Sequence, residues 1–430
     1  MPKGLYLLIA AQFLSALADN ALLIVAIALL EVHGLPGWWA PLLKLFFVVS
    51  YVVLAPFVGP LADAIQKARL MAWMNAMKAL GVVAMLAGLH PALSFAVVGL
   101  AAAAYAPAKY GLVTEMVGAD RLIAANGWIE VAVVAAVLLG AMFGGLLVSD
   151  AASAVDLAVR AALAPHTAGP YTFSLLVLLC VYALAGVLNA GVPDSGARYP
   201  RSVIDPRALV RIFVVSNRTL WRDREGGLSL AVTTVLWGVA ATLQFAVLRW
   251  SVDALGLKLA QAAYLQAVVA VGVIAGATLA GRKVRIDAVH RLLPVGIVLG
   301  LSVLSVALID RVEIAAPVLL GVGALGGFLI VPMNALLQHR GYRLLSAGHS
   351  IAVQGFNENL SILFALGLYT VVLAAGAQIV TVMIGFGLLV AVAIAVLSLR
   401  YQAVARTTPP LRPGLGAAER ARKIDRRGED

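Results

Sequence analysis

Twelve apolar runs of about twenty residues each succeed one another along the chain, near 4–30, 40–62, 70–89, 92–113, 125–148, 171–192, 228–250, 260–280, 292–309, 315–336, 348–373 and 378–399. A run of that length matches the hydrocarbon core of a bilayer. There no water serves the backbone polar groups, so a single segment satisfies them only by coiling into a helix. The runs predict an all-α polytopic membrane protein with 12 transmembrane helices. Composition leaves little room for anything else, because 62% hydrophobic and 12% charged residues cannot cover a soluble globule with polar surface. The one cysteine, Cys180, sits in the run SLLVLLCVYALAG, so neither a disulfide framework nor a thiolate metal site is available, and no metal or cofactor is expected. The N-terminal segment has one Lys and no small-residue cleavage site ahead of its long apolar run, so the first span is expected to stay in the protein.

Charge then sets the orientation. With the N-terminus inside, 25 of the 32 Lys and Arg fall in cytoplasmic connections and 3 in outer ones. That asymmetry predicts cytoplasmic termini. The net charge of +11 is accordingly a topology signal and not a nucleic-acid footprint, since the basic residues occupy short connections instead of one folded face interleaved with aromatics. The longest cytoplasmic connection divides the spans six and six. The expected units are a six-helix bundle over 1–192, a cytoplasmic linker over 193–227, a second six-helix bundle over 228–399 and a disordered basic tail over 400–430. Within the linker, Asp205 and Pro206 form an N-cap with proline at the first helical position, ahead of interleaved basic and apolar residues. That pattern reads as an interfacial helix on anionic headgroups, or equally as a solvated basic linker.

Charged residues inside the runs are the candidates for function, because an unpartnered charge at a bilayer centre is expensive, by about 2.5–3.5 kcal/mol on insertion scales. Asp19 and Asn20 stand near the middle of the first run, where they would line a substrate path; a purely structural ion pair is the alternative. Lys109 follows Pro107 in the fourth run and is the best anion contact of the first half, with snorkelling to the interface as its alternative. Lys78 in the third run is a plausible neutralising partner for a carboxylate. Glu130 and Glu358 fall about a turn into their runs, where carboxylates paired with Arg or Lys would act as parts of cytoplasmic gates. Lys44 and Arg249, toward the outer ends of their spans, are read as snorkelling cations. Gly140, Gly144 and the stretch Gly321 to Phe328 are expected to permit close helix packing. An enzyme is not indicated: none of the six histidines has an aspartate at the acyltransferase spacing, and HExxH and GxSxG are absent.

Several segments carry a resemblance. GPLADAIQKARLM, with Gly59, Asp63, Lys67 and Arg69, resembles the loop between the second and third spans of the major facilitator superfamily, where such residues form an inside gate network. ANGWIEV, around Asn126 and Glu130, is echoed 228 residues on by VQGFNEN, around Gln354 and Glu358, and a parallel repeat of six spans is the architecture of that superfamily. An offset of 225 sets Gln244 opposite Asp19. Together AQFLSALADNALL, YVVLAPFVGPLAD, AAAAYAPAKYG, ANGWIEV, VPMNALLQHRG and AVQGFNEN are similar to the bacterial lysophospholipid transporters, a branch of that superfamily.

The resemblance implies a flippase of the bacterial inner membrane. It would carry lysophosphatidylethanolamine and lysophosphatidylglycerol to the cytoplasmic leaflet by alternating access, as a monomer among membrane lipids, in functional partnership with a lysophospholipid acyltransferase and acyl-carrier-protein synthetase. It further implies that Asp19 and Lys109 contact the headgroup. Where that family reads TLRF in the seventh span, this chain reads TLQF, so Gln244 replaces a cation, and Arg249 is the nearest other one on the same span. Asp19 would meet the ethanolamine ammonium or titrate to couple transport to protons. The alternative function is a proton-coupled exporter of amphipathic cations, which would use Asp19 and have less need of Lys109.

Overall fold

A chain with this many apolar runs satisfies its backbone one helix at a time. In a computed structural model, which describes residues 2–35, 39–163, 169–199 and 205–407, the described residues form fourteen α-helices and one 3-10 turn, and no strand. The helices are α1 (Lys3–Val32), α2 (Trp39–Ala64), α3 (Lys67–Leu86), α4 (Pro91–Met116), α5 (Leu122–Leu147), α6 (Asp150–Leu163), α7 (Thr172–Ala190), α8 (Pro206–Arg222), α9 (Arg224–Asp253), α10 (Leu259–Lys283), α11 (Leu293–Ala307), α12 (Val312–Leu344), α13 (Ala347–Ala374) and α14 (Ile379–Thr407), with the 3-10 turn at Ile286–Leu292.

Eleven of them are long and apolar enough to cross a membrane. The remaining long apolar run is α3, of 20 residues, which falls outside that set because it carries Lys67, Arg69 and Lys78. Two of those cations, Lys67 and Lys78, are buried against carboxylates, so the helix packs between α4 and α7 despite its charge. Two helices are shorter amphipathic segments. The apolar runs gave no sign of α6, because only one side of it is apolar; its Asp156 is buried and accepts from the Tyr171 and Phe173 amides at 3.2 and 2.7 Å, satisfying orphan donors at the start of α7. The other is α8, whose first turn is capped by the Asp205 side chain accepting from the Arg207 amide at 3.0 Å. Phe213 and Leu220 of α8 are buried on the bundle, and Trp221 donates to Asn357 of α13 at 3.1 Å, while Val214 and Val215 stay exposed. The last helix runs on to Thr407, past the boundary expected at 399, and the remainder of the expected tail, 408–430, lies outside the described residues.

The halves repeat in their packing. α5 rests on α1 of its own half and on α10 and α12 of the other; α13 rests on α9 of its own half and on α2 and α4 of the other. These are the same three neighbours under a shift of eight helices, and the ANGWIEV and VQGFNEN segments occupy the equivalent crossings. Glycine makes the crossings close. Gly140 and Gly144 of α5 seat against the backbone of Leu17 and Ala21 in α1. Gly323 and Gly327 of α12 press on Val269 and Val273 of α10, while Gly321 and Gly326 face open space. Of the Gly321 to Phe328 stretch, then, only every fourth glycine is used for packing.

Candidate functional site

At the end of the molecule where α2 finishes and α13 begins, the halves are latched. Asp63 of α2 accepts from the Gly348 amide at 2.9 Å, lies 2.9 Å from His349 Nδ1, and takes the Ser346 hydroxyl. A carboxylate from one half thereby caps a helix of the other, where the helix dipole favours it. Gly59 and Gly348 let the two backbones approach, since a Cβ on Gly59 would come 3.1 Å from the Gly348 carbonyl. Lys67 joins at 3.7 Å from Asp63 and 2.6 Å from Glu115, and Glu115 also accepts from Ser195 and Tyr199 at 2.6 and 2.7 Å. Deeper in, Asn126 of α5 and Gln338 of α12 exchange two amide hydrogen bonds of 2.8 and 2.9 Å. Outside the spans, Asp223 binds Arg340 through contacts of 2.6 and 3.0 Å. Burial pushes the Asp223 carboxyl up, but the Arg340 and Gly226 hydrogen bonds outweigh it and hold the group below the usual carboxylate range.

Beyond the latch lie two cavities. The first, of about 250 Å³, is bounded by α2, α4, α9 and α13 and lined by Lys109, Glu358, Gln354, Asn359, Tyr51 and Trp237 among others. Lys109 is 6% exposed. Its ammonium rides 4.1 Å from the centre of the Tyr110 ring, and no carboxylate among the described residues comes within 4.0 Å of it. A buried cation in that position favours an anion strongly. Across the cavity, Gln354 donates to Glu358 at 2.9 Å and to Asn334 at 3.0 Å, and its own carbonyl oxygen is buried without a partner. The indole N–H of Trp237 is likewise buried and unpaired.

The second cavity, of about 410 Å³, is walled by α5, α9, α10, α11, α12 and α14. Its lining is Val, Leu, Ile, Ala, Gly and Met, interrupted by Glu130, Gln244 and Gln266. Trp237 lines both cavities, so a single indole stands between a polar chamber and an aliphatic one. The combined arrangement accepts an anionic group beside an apolar tail. Pockets for small molecules commonly run from about 300 to 1,000 Å³.

Asp19 is elsewhere. Its carboxylate takes Lys78 at 2.6 Å and the Tyr182 hydroxyl at 2.8 Å, and Lys78 also donates to Ser15 at 2.9 Å. The pair sits inside the first bundle between α1, α3 and α7, with the Lys78 ammonium 5.3 Å from the Tyr105 ring centre. Neither Asp19, Asn20 nor Lys78 lines either cavity. Asn20 turns back on its own helix, donating to the Ala16 carbonyl at 2.8 Å.

The major facilitator superfamily model matches residues 8–366. The curated lysophospholipid transporter LplT of Citrobacter koseri is 41% identical over 396 residues, covering 92% of this chain and 95% of the relative. The chain belongs to the lysophospholipid transporter family of the major facilitator superfamily. The LplT protein of Yersinia pestis is similarly close, 40% identical over 383 residues, with 89% of this chain and 90% of that one aligned. Among solved structures, a bacterial homologue of the iron transporter ferroportin in an outward-facing state superposes with a TM-score of 0.69 at 16% identity, covering 94% of this chain and 100% of that one. The Escherichia coli fucose:proton symporter FucP also gives 0.69 at 16% identity, over 92% and 98%. At that identity these two speak for the fold alone.

Apart from Asp19, Asn20 and Lys78, the major facilitator fold gathers the site residues singled out from the sequence into three places. Lys109 and Glu358 meet at the polar cavity, Gln244 and Glu130 at the aliphatic one, and Asp63 and Lys67 at the latch, while Arg69 is exposed beside it. Among the described residues, Glu130 and Glu358 have no Arg or Lys within 4.0 Å, and they face the cavities. The physical reason is depth: α5 begins at Leu122 and α13 at Ala347, so the two carboxylates lie about two and three turns in. Arg249 is paired with Asp253 at 3.2 Å on an exposed face and lines neither cavity. Trp237 was not singled out from the sequence. A lone indole within the polar-tinged stretch TTVLWGVAATLQ was its only signal.

Proposed function

We propose that this protein is a flippase for single-chain phospholipids, carrying lysophosphatidylethanolamine and lysophosphatidylglycerol to the cytoplasmic leaflet of a bacterial inner membrane. α3 is counted as the twelfth span and the latched end as the cytoplasmic one. The observation that carries this reading is the unpaired ammonium of Lys109 in a polar chamber that shares the Trp237 wall with an aliphatic chamber. Phosphate answers the first and an acyl chain the second. The names of the relatives, lysophospholipid transporters at about 40% identity, point to the same chemistry.

In this mechanism the lipid enters between the halves, its phosphate displaces solvent at Lys109, and its chain lies along α5, α9, α10 and α12. The latch of Asp63 with the α13 N-terminus then opens while the opposite ends close, so the halves rock about the occupied site. Glu130 and Glu358 belong to the binding chambers in this account, and Asp63 with Lys67 to the gate. The product would be substrate for an acyltransferase and acyl-carrier-protein synthetase on the cytoplasmic side, and the transporter would act as a monomer without catalysing a reaction itself. A cation at the polar chamber disfavours the alternative, an exporter of amphipathic cations.

Uptake of labelled lysophosphatidylethanolamine into spheroplasts tests the proposal. Lys109→Ala should lower it by about tenfold or more, since a charge-assisted hydrogen bond to phosphate is lost. Full uptake by Lys109→Ala, or export of a lipophilic cation by the unaltered protein, would overturn it.

A further inference from the structure

The arginines of α8 take no part in the transport cycle, and they meet no counterion. Arg207, Arg211, Arg218 and Arg222 recur at intervals of four, seven and four residues, which at about 100° per residue sets all four within about 60° of arc. Phe213, Ser216 and Leu220, the residues buried against the bundle, occupy the opposite side of the helix. All four arginines are exposed, and no carboxylate among the described residues comes within 4.0 Å of any of them. α8 itself contains no acidic residue. Val210, Val214 and Val215 are exposed beside the cationic stripe.

Depth decides what faces that stripe. Phe213 and Leu220 share one buried apolar cluster with Ala55 of α2, Leu230 of α9, Leu337 of α12 and Val353 of α13. Ala55 lies nine residues before the end of α2, and Asn357, the partner of Trp221, ten residues after the start of α13, which is about 14 and 15 Å along ideal helices. α8 therefore lies alongside the spans and not beyond their tips. At the same end of the molecule Tyr6, Trp73 and Trp128 are exposed within two turns of the starts of α1, α3 and α5, and a band of such residues marks the headgroup level of a bilayer. A helix at that level with apolar flanks and a cationic stripe meets lipid, whose anionic headgroups supply the missing counterions. We propose that the face of α8 formed by Arg207, Arg211, Arg218 and Arg222 is a binding site for anionic phospholipid of the surrounding bilayer, such as phosphatidylglycerol, separate from the lipid that the protein carries. Guanidinium groups suit that role, because their paired N–H donors match phosphate oxygens. This site stands whichever substrate crosses the protein.

A fluorescent probe on Val214→Cys, in a Cys180→Ser background, reads the site in phosphatidylcholine nanodiscs holding the full-length protein. Phosphatidylglycerol or phosphatidylcholine carrying a doxyl quencher, added in turn at equal low fractions, dims the probe according to how much of each gathers at α8. With the arginines intact, phosphatidylglycerol should quench at about threefold lower fraction or less. Concentrated salt should remove that advantage, and changing all four arginines to glutamine should do the same. Equal quenching by the two lipids with the arginines intact overturns the site without any arginine variant. A preference untouched by salt overturns it whether or not the fourfold variant folds, and so does a preference that survives in that variant. A probe that neither lipid quenches puts α8 in water, which overturns the site and leaves the stripe to an acidic protein surface.

Discussion

A buried charge is judged by what stands within reach of it, and two lysines of this protein fall on opposite sides of that test. Lys78 is matched by Asp19 at 2.6 Å and by the Ser15 hydroxyl, whereas Lys109 has no carboxylate among the described residues within ion-pairing distance. Removing one member of a buried pair strands the other, at a cost of about 3–5 kcal/mol, whereas replacing both with apolar groups is often close to neutral. Asp19→Asn is thus expected to lower the unfolding temperature of the purified protein markedly, and Asp19→Asn combined with Lys78→Met to restore most of it. A headgroup role for Asp19 predicts the other pattern, with transport lost in both proteins and little change in thermal stability. Much of this was legible in the sequence. A lone acid in the first apolar run and a lone Lys in the third called for each other, and Lys109 stood out behind Pro107. The depth of Glu358 was legible, ten residues into the run drawn from 348, whereas Glu130 looked shallower because its run was drawn from 125 and α5 begins at Leu122. The unpaired indole of Trp237 has no sequence signature at all, since what marks it is the company it keeps in space.

Elements are held to one another by polar contacts at their ends and by small residues along their lengths. The corner between α8 and α9 is an example of the first kind: Asp223 caps α9 through the Gly226 amide at 2.8 Å and binds Arg340 of α12. Its carboxyl is depressed in the folded protein, so its contribution is fully present above the ordinary carboxylate value of about 3.9 and is lost as pH falls through the lower folded value. The protection of the amides at the start of α9, with exchange corrected for its intrinsic pH dependence, should therefore be high at neutral pH and fall below about pH 4. Asp223→Asn should bring the lower protection to neutral pH and flatten its pH dependence. Gly140, Gly144, Gly323 and Gly327 are examples of the second kind, and their four-residue spacing was visible in the chain. Which glycines of a rich run actually pack was not visible, because Gly326 and Gly327 differ only in the direction their missing side chains would take. The amphipathic α6 escaped notice for a related reason, since only one side of it is apolar and Asp150, Asp156 and Arg160 interrupt its fourteen residues.

For the molecule as a whole, two halves with equivalent crossings at α5 and α13 meet around a pair of chambers and are fastened at one end. The Asn126 and Gln338 amides span that junction, and the single native cysteine, Cys180, is on α7 away from it. In a Cys180→Ser background, Asn126→Cys with Gln338→Cys should crosslink under oxidation and arrest lipid uptake, and reduction should restore it. Uptake undiminished by complete crosslinking would show that the halves need not part there. The repeat itself was foreshadowed by two short matching segments, since positions that must cross another helix closely reuse the same pattern of amide, glycine and aromatic. Asp63 and Lys67 were foreshadowed as gate residues but their partners in the other half were not, because Asp63 reaches a backbone amide, and backbone amides look alike in every sequence. One property of the aliphatic chamber reaches further. Apart from Glu130, Gln244 and Gln266 its lining is of branched and small hydrocarbon side chains, with no aromatic plate beyond Trp237 to register a double bond. A guest chain held there gains by the methylene, at about 0.8 kcal/mol each, and not by its detailed shape. On the proposed function, a cell that retunes saturation or chain length as it warms or cools keeps moving its single-chain phospholipids with one unaltered carrier.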